Sequence, residues 1–182
     1  NDDALIQRAE IMREKGTNRK QFMLGLIDKY TWVNVGSSFL PPDTMAALLE
    51  SQMAKREWIQ ARRRAIFEHY TEAFTPLAQE GRLSVPVIPS YVGSNHHIYH
   101  VQMENESTRN RALAFFRERG IGTTFHYLPL HLSPMGRAMG YAEGDLPVTE
   151  SASGRLLRLP IYPSLTEAQQ ETVIGAMKEF FA

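Results

Sequence analysis

The chain has 182 residues, of which 20 are basic and 20 acidic, so its formal net charge is zero and gives no general attraction to nucleic acid or anionic membranes. Apolar residues make up 43%, enough for a folded core, and the lack of cysteine excludes disulfides, a thiolate nucleophile and cysteine-ligated metal. No membrane-spanning run or signal-peptide pattern is present, which predicts a soluble, cytoplasmic protein. Because no methionine opens the sequence, we expect a domain fragment or a processed product.

The first 40 residues combine one short helix with a long, aromatic connecting segment. Apolar residues recur at helical spacing between Leu5 and Met12, and Gly16 can end this helix. Residues 17–40 show no periodicity, and connections of this length are usually functional or disordered. Their aromatic side chains argue against disorder.

A long helix is predicted to follow this segment. Pro41 and Pro42 precede Asp43 at a helix start, where the missing N–H of proline costs little. Apolar residues continue the helical period to about Phe74, just before Pro76. A helix of that length can join two lobes.

The remainder predicts a small α+β lobe. Ser107 can cap a helix that stops at Gly120, and Thr166 with Gln169 forms the pattern of a capping box. A further helix is expected over residues 149–157. The predicted strands cover residues 83–88, 95–103 and 121–127.

Histidine and tyrosine side chains dominate the end of the third predicted strand. His126, Tyr127 and His131 stand in a loop that Pro129 and Pro134 stiffen. Ring nitrogens and a phenol on a rigid loop suit a polar ligand, although a structural histidine pair beside a core tyrosine gives the same pattern. The residues alone leave both interpretations open.

The sequence predicts no metal site and contains no standard nucleotide motif. His96 and His100 would share one face of a strand while His97 points away, and no acidic residue lies at clear ligand spacing. A serine elbow, a P-loop and a dinucleotide-binding glycine pattern are all missing from the sequence.

Four stretches in order carry a family resemblance. They are Arg13–Arg19 (REKGTNR), Lys29–Trp32 (KYTW) with Gly36–Leu40 (GSSFL), His126–His131 (HYLPLH) and Arg155–Pro160 (RLLRLP). Over its whole length the chain closely resembles the DegT/DnrJ/EryC1/StrS family of nucleotide-sugar aminotransferases. The resemblance implies an α/β fold class, namely the C-terminal part of a fold type I transferase that depends on pyridoxal 5′-phosphate (PLP). Residues 1–75 would be the end of the large domain with the linking helix, and residues 76–182 the small α+β domain.

The resemblance also implies an activity. The complete enzyme would be a homodimer with active sites at the subunit interface. It would transfer an amino group from glutamate to the 4-keto carbon of a dTDP-4-keto-6-deoxyhexose, for surface-polysaccharide synthesis. A dehydratase of the same fold, in which histidine replaces the cofactor-binding lysine, and a non-catalytic truncated domain both stay open as alternatives.

No catalytic residue is predicted in this chain. In the family, the lysine that binds PLP covalently stands upstream of the position of Asn1. None of the five lysines here matches the family's lysine motif: Lys15, Lys20, Lys29, Lys55 and Lys178. Because transamination needs that lysine, we expect the chain to be inactive unless a companion N-terminal fragment supplies it.

The binding residues implied by the resemblance fall into two groups. Those expected near the cofactor are Asn18, Arg19 and Ser38, the last at a position where many relatives have asparagine. Those expected to contact the sugar nucleotide are Tyr30, Trp32, His126, Tyr127 and His131. The resemblance implies no metal ligand.

Overall fold

The structure, a computed structural model, describes Asp2 and residues 5–182, and it divides into two compact units, Asn1–Lys55 and Arg56–Ala182. The first unit contains α1 (Ile6–Arg13), α2 (Arg19–Met23) and α3 (Asp43–Met53). The helices of the second unit are α4 (Arg56–Gln79), α5 (Glu106–Glu118), α6 (Pro134–Ala138), α7 (Pro147–Arg155) and α8 (Glu167–Phe181). Its strands are β1 (Leu83–Ser84), β2 (Tyr99–Met103) and β3 (Leu156–Leu159). Among the described residues, no helix is long and apolar enough to cross a membrane.

In the first unit the chain folds back onto Gly16, which lies three residues after the end of α1. The backbone N–H groups of Val33 and Asn34 both donate to the Gly16 carbonyl, at 2.8 and 2.9 Å. Gly16 has a φ of +73°, and a Cβ added there would lie 1.8 Å from the Asn34 carbonyl oxygen. Glycine is therefore required both by the backbone conformation and by the close approach of the returning chain. In the described part of this unit, Gly16 is the one buried residue.

The predicted single helix from Asp43 to Phe74 is wrong in two respects. The structure has two helices, because α3 ends at Met53 and α4 begins at Arg56. Helix α4 also continues past Pro76 to Gln79. Proline removes one helical hydrogen bond at that point, but the next turn still closes, and Gly81 with φ +73° ends it.

The core of the second unit lies between an antiparallel three-stranded sheet, in the order β1-β2-β3, and its helices. Alternate residues of β2 point into this core, and Tyr99, Val101 and Met103 are fully buried. Tyr70 of α4 is also fully buried, and its hydroxyl donates to the Pro160 carbonyl at 3.1 Å. This mixed helix and sheet arrangement confirms the α+β prediction and agrees with the C-terminal part of a fold type I transferase.

The strands are shorter than predicted. Of residues 83–88, only Leu83 and Ser84 pair with β2, and β2 begins at Tyr99, three residues after His96, which has a left-handed φ of 49°. Residues 121–127 do not form a strand, since Thr124 alone bridges to Arg158. The predicted helix over residues 149–157 ends instead at Arg155, and the next four residues form β3.

Of the two predicted helix caps, one is wrong and one is confirmed. The cap of α5 is Asn105, not Ser107, since the Asn105 side chain accepts the Thr108 N–H at 2.9 Å. At α8 the predicted capping box is confirmed, because the Thr166 hydroxyl accepts the Gln169 N–H and the Gln169 side chain accepts the Thr166 N–H.

Candidate functional site

The segment 125–132 of the second unit, hereafter the 125–132 loop, is fixed by three contacts. The Arg109 guanidinium lies 5.4 Å from the centre of the Phe125 ring. The Ser153 hydroxyl donates to the Tyr127 carbonyl at 3.1 Å. His131 Nε2 lies 2.8 Å from Glu150 Oε1. Helices α5 and α7 therefore hold the 125–132 loop, which contains one short 3-10 helix, Leu130–Leu132.

The contact between His131 and Glu150 is largely shielded from solvent, and Glu150 accepts further hydrogen bonds. His131 is 6% exposed, and Glu150 also accepts the backbone N–H groups of Gly144 and Leu146. The hydrogen bond from His131, followed by those two backbone N–H groups, holds the pKa of Glu150 below its ordinary value. The structure thus places His131 inside the loop, and its predicted contact with substrate stays a prediction.

His126 and Tyr127 are placed differently from His131. Their rings are 5.0 Å apart in an edge-to-face contact, and Tyr127 is 77% exposed while His126 is half-buried. His126 lines a cleft of about 470 Å³ together with Arg109, Phe125 and Glu150. The two rings are accessible to a ligand although the backbone that carries them is held in place.

Arg109 is a component of this cleft that the sequence analysis missed. Its side chain is 7% exposed, and one guanidinium nitrogen lies 3.3 Å from Glu106 Oε1. Its Nε is buried without a hydrogen-bond partner. Nothing in the sequence separates Arg109 from Arg111 and Arg117 on the same helix, so only the fold could identify it.

The residues predicted to lie near the cofactor occur together in the first unit. The Asn18 side chain accepts the Thr31 N–H at 2.7 Å, which fixes the start of the loop against its return. Arg19 forms an ion pair of 2.8 Å with Glu14 and remains about half exposed. Ser38 bridges to Glu14 through the backbone and is exposed.

The two aromatic residues predicted for the sugar nucleotide belong to the same loop. Trp32 bridges to Thr17 through the backbone and is 74% exposed. The Tyr30 ring lies 5.5 Å from that of Phe22. Each flat face is available to cover a sugar or a base. This loop belongs to the first unit, and the 125–132 loop belongs to the second.

Two of the residues predicted near the cofactor are of types that can bind phosphate. An exposed guanidinium (Arg19) and an exposed hydroxyl (Ser38) are the side-chain types that bind phosphate oxygens. Of the lysines, Lys20 is ion-paired with Glu10 and Lys15 occupies a left-handed conformation at the turn after α1. Within Asp2 and residues 5–182, no cluster of three or more histidine, cysteine or acidic side chains is arranged to hold a metal ion.

Two known proteins are similar in sequence to this chain. The chain is 31% identical over 183 residues to the "Pleiotropic regulatory protein" of Geobacillus stearothermophilus, covering 100% of this chain and 45% of that protein. It is 35% identical over 140 residues to dTDP-4-dehydro-2,3,6-trideoxy-D-glucose 4-aminotransferase of Saccharopolyspora spinosa, covering 77% and 34%. The chain therefore spans less than half the length of these relatives.

Solved structures agree with this result. DesV of S. venezuelae matches with a TM-score of 0.84 at 28% identity, covering 98% of this chain and 44% of that one. The fold is shared with Spr1654 of Streptococcus pneumoniae, solved in a PLP form, at a TM-score of 0.82 and 20% identity, covering 99% and 44%. The model of the DegT/DnrJ/EryC1/StrS aminotransferase family matches residues 1–178. The chain belongs to the DegT/DnrJ/EryC1/StrS aminotransferase family.

Proposed function

We propose that the chain is the C-terminal portion of a PLP-dependent aminotransferase that transfers an amino group from glutamate to a dTDP-4-keto-6-deoxyhexose. The product would be a dTDP-4-amino-4,6-dideoxyhexose for surface polysaccharide. The observation that carries this proposal is the 125–132 loop, in which the backbone is held while the rings of His126 and Tyr127 stay accessible, in a chain whose family acts on nucleotide sugars.

The loop contacts have a direct chemical use in this proposal. A ring that binds substrate helps the reaction only if it is held in the productive orientation beforehand. The Ser153 and Glu150 contacts fix the backbone on both sides of Leu128 and Pro129, so the His126 imidazole and the Tyr127 phenol need little ordering when a sugar nucleotide binds. Either side chain can donate a hydrogen bond to a sugar hydroxyl or a phosphate oxygen.

PLP would supply an electron sink for the carbon that gains or loses the amino group. Arg19 and Ser38 would contribute a cation and a hydroxyl toward its phosphate, with Asn18 holding that loop closed against Thr31. Trp32 and Tyr30 would cover the sugar or the base. The lysine that binds the cofactor covalently would come from the N-terminal half, so the chain alone would not turn over.

A chimeric enzyme tests this proposal. The part of DesV that the match leaves uncovered would be fused ahead of Asn1, and the purified chimera given PLP, glutamate and a dTDP-4-keto-6-deoxyhexose. We expect an amino sugar by mass spectrometry, and none from the chain alone. A chimera that binds PLP, seen by its visible absorption, but forms no amino sugar would refute the proposal.

His126→Ala and Tyr127→Phe in the chimera test the roles of the two rings. Loss of one substrate hydrogen bond typically lowers kcat/KM by about tenfold or more. Tyr141→Phe is the matched control, since Tyr141 is a half-exposed tyrosine outside the 125–132 loop. Equal rates for all three variants would remove His126 and Tyr127 from the site.

A further inference from the structure

A second cavity of the second unit, hereafter the histidine pocket, is lined by four histidine side chains. His96, His97, His100 and His126 surround a volume of about 350 Å³. Phe67 of α4, Leu156 of β3 and the segment 86–88 form an apolar wall beside them. No aspartate or glutamate in the described part of the chain lines this pocket.

The backbone is bent to bring these rings together. His96 has a φ of 49°, a left-handed conformation that is strained for a non-glycine residue. The Ser94 hydroxyl accepts the His96 N–H at 3.1 Å, and the Asn95 side chain accepts the His97 N–H at 3.3 Å. The His96 ring then meets Phe67 edge-on at 5.0 Å. Strain of this kind in a folded protein occurs preferentially at binding sites.

His100 enters the pocket from the sheet. It lies on β2 opposite Arg158 of β3, on the face that does not contribute to the core. His126 interacts electrostatically with it from the 125–132 loop. The same histidine therefore lines both the histidine pocket and the cleft described above.

A cationic side chain stands near each of two pocket histidines, His96 and His100. Arg64 and Glu68 of α4 both act on His96, and Arg158 of β3 is the cross-strand partner of His100. Burial, followed by Arg64, lowers the pKa of His96, while Glu68 partly opposes this effect. Burial, followed by His126, lowers the pKa of His100. Both effects favour the neutral imidazoles of His96 and His100 in the free protein, and an entering anion would favour their protonated, doubly donating form.

We propose that the histidine pocket binds the phosphate group of a small organic molecule, with the imidazoles as hydrogen-bond donors and the apolar wall against the organic part. Because binding would bring protons onto His96 and His100, affinity rises as pH falls. The inference rests on the proposed function only for the source of the phosphate, which would be the diphosphate of the sugar nucleotide. A separate phosphate compound would use the same contacts.

Equilibrium dialysis of the full chain with radiolabelled pyrophosphate tests the pocket. We expect saturable binding, and in His100→Asn a loss of about tenfold in affinity at about pH 6 and a smaller loss at about pH 8. Ionisation of pyrophosphate itself cancels in this comparison, since the wild type and the variant meet the same ligand. His69→Asn makes the same chemical change on α4, where His69 pairs with Glu171, and should bind like the wild type.

A second variant tests whether the loss of affinity in His100→Asn results from a folding defect. His97 is exposed, so His97→Asn cannot create a core cavity, and we expect it to lower affinity for pyrophosphate. Absence of saturable binding, or losses in His100→Asn and His97→Asn no larger than in His69→Asn, would overturn the proposal.

Competition with dTDP identifies the source of the phosphate. If dTDP displaces pyrophosphate at a lower concentration than inorganic phosphate does, the phosphate source is the nucleotide diphosphate. Displacement by inorganic phosphate at equal concentration would establish a separate phosphate compound, and both results support the pocket. The chimera assay does not depend on these outcomes: an aminating chimera with no histidine-dependent pyrophosphate binding would leave the proposed function standing and remove only this inference.

Discussion

His131 and Glu150 are 19 positions apart in the sequence, and in the structure His131 Nε2 lies 2.8 Å from Glu150 Oε1. This contact joins the 125–132 loop to α7, and the N–H groups of Gly144 and Leu146 complete the carboxylate's hydrogen bonding. Glu150 therefore organises two irregular segments at once. The conformation of the loop that carries His126 and Tyr127 depends on it.

Glu150→Gln should change the pH dependence of stability. Because the folded-state pKa of Glu150 is depressed, its stabilising contribution is fully present above the ordinary glutamate pKa and is lost as pH falls through the folded-state pKa. The wild type should lose more of its urea midpoint between about pH 6 and about pH 3 than Glu150→Gln does. Glu118→Gln, at an exposed position on α5, should behave like the wild type. Identical pH profiles for Glu150→Gln and the wild type would contradict this assignment.

Gly16→Ala should open the loop of the first unit. Alanine there must adopt a φ of +73° with its Cβ 1.8 Å from the Asn34 carbonyl oxygen, so the returning chain must move. Gly25→Ala is the matched control: φ is +71°, but nothing lies within 4 Å of the new Cβ, so only the conformational cost of about 1 kcal/mol applies. Trypsin should cleave after Arg19 and Lys20 much faster in Gly16→Ala than in Gly25→Ala. Equal cleavage rates would mean that the close approach at Gly16 does not hold the loop.

Tyr70→Phe should destabilise the second unit by about 1–3 kcal/mol, because it leaves the Pro160 carbonyl without the hydroxyl donor it has at 3.1 Å. Tyr70 is fully buried, so water cannot easily replace that hydroxyl. Tyr141→Phe removes a hydroxyl from a half-exposed ring and should change stability by less than about 0.5 kcal/mol. Urea unfolding followed by circular dichroism measures both variants. A Tyr70→Phe midpoint equal to that of Tyr141→Phe would show that the hydrogen bond contributes nothing.

The full chain should self-associate. The first unit exposes large apolar side chains on α3, with Met45, Leu48, Leu49 and Met53 each more than half exposed. Contiguous apolar surface of this kind is normally covered by another part of a protein. Sedimentation velocity should show species larger than a monomer, and replacing Leu48 and Leu49 by lysine should reduce them. A monomer with one sharp unfolding transition would contradict this expectation.

Local signals in the sequence were sufficient for some elements. The capping box at Thr166 and Gln169 depends only on residues three apart, and it forms as predicted. Strand β3 was missed because it follows α7 without any turn residue, so the helical pattern continues into it. Pro76 was interpreted as a helix end, although the packing of α4 carries the helix a turn further.

The candidate site also contains residues that the sequence could identify and contacts that it could not. Motif residues such as His126 and Tyr127 could be selected from the sequence by resemblance. Their anchors could not, because the contacts of Ser153 with Tyr127 and of Glu150 with His131 join residues 26 and 19 positions apart. The inward placement of His131 also appears only when α7 has packed against the loop. Spatial neighbours of this kind carry no periodic signal.

Cofactor trapping tests most directly the claim that this chain holds no cofactor-binding lysine. The full chain would be incubated with about one equivalent of PLP and reduced with borohydride, and labelled lysines mapped by mass spectrometry. The account predicts no stoichiometric label on any of the five: Lys15, Lys20, Lys29, Lys55 or Lys178. One lysine labelled almost completely and protected by glutamate would contradict it, because the chain would then contain a cofactor site of its own.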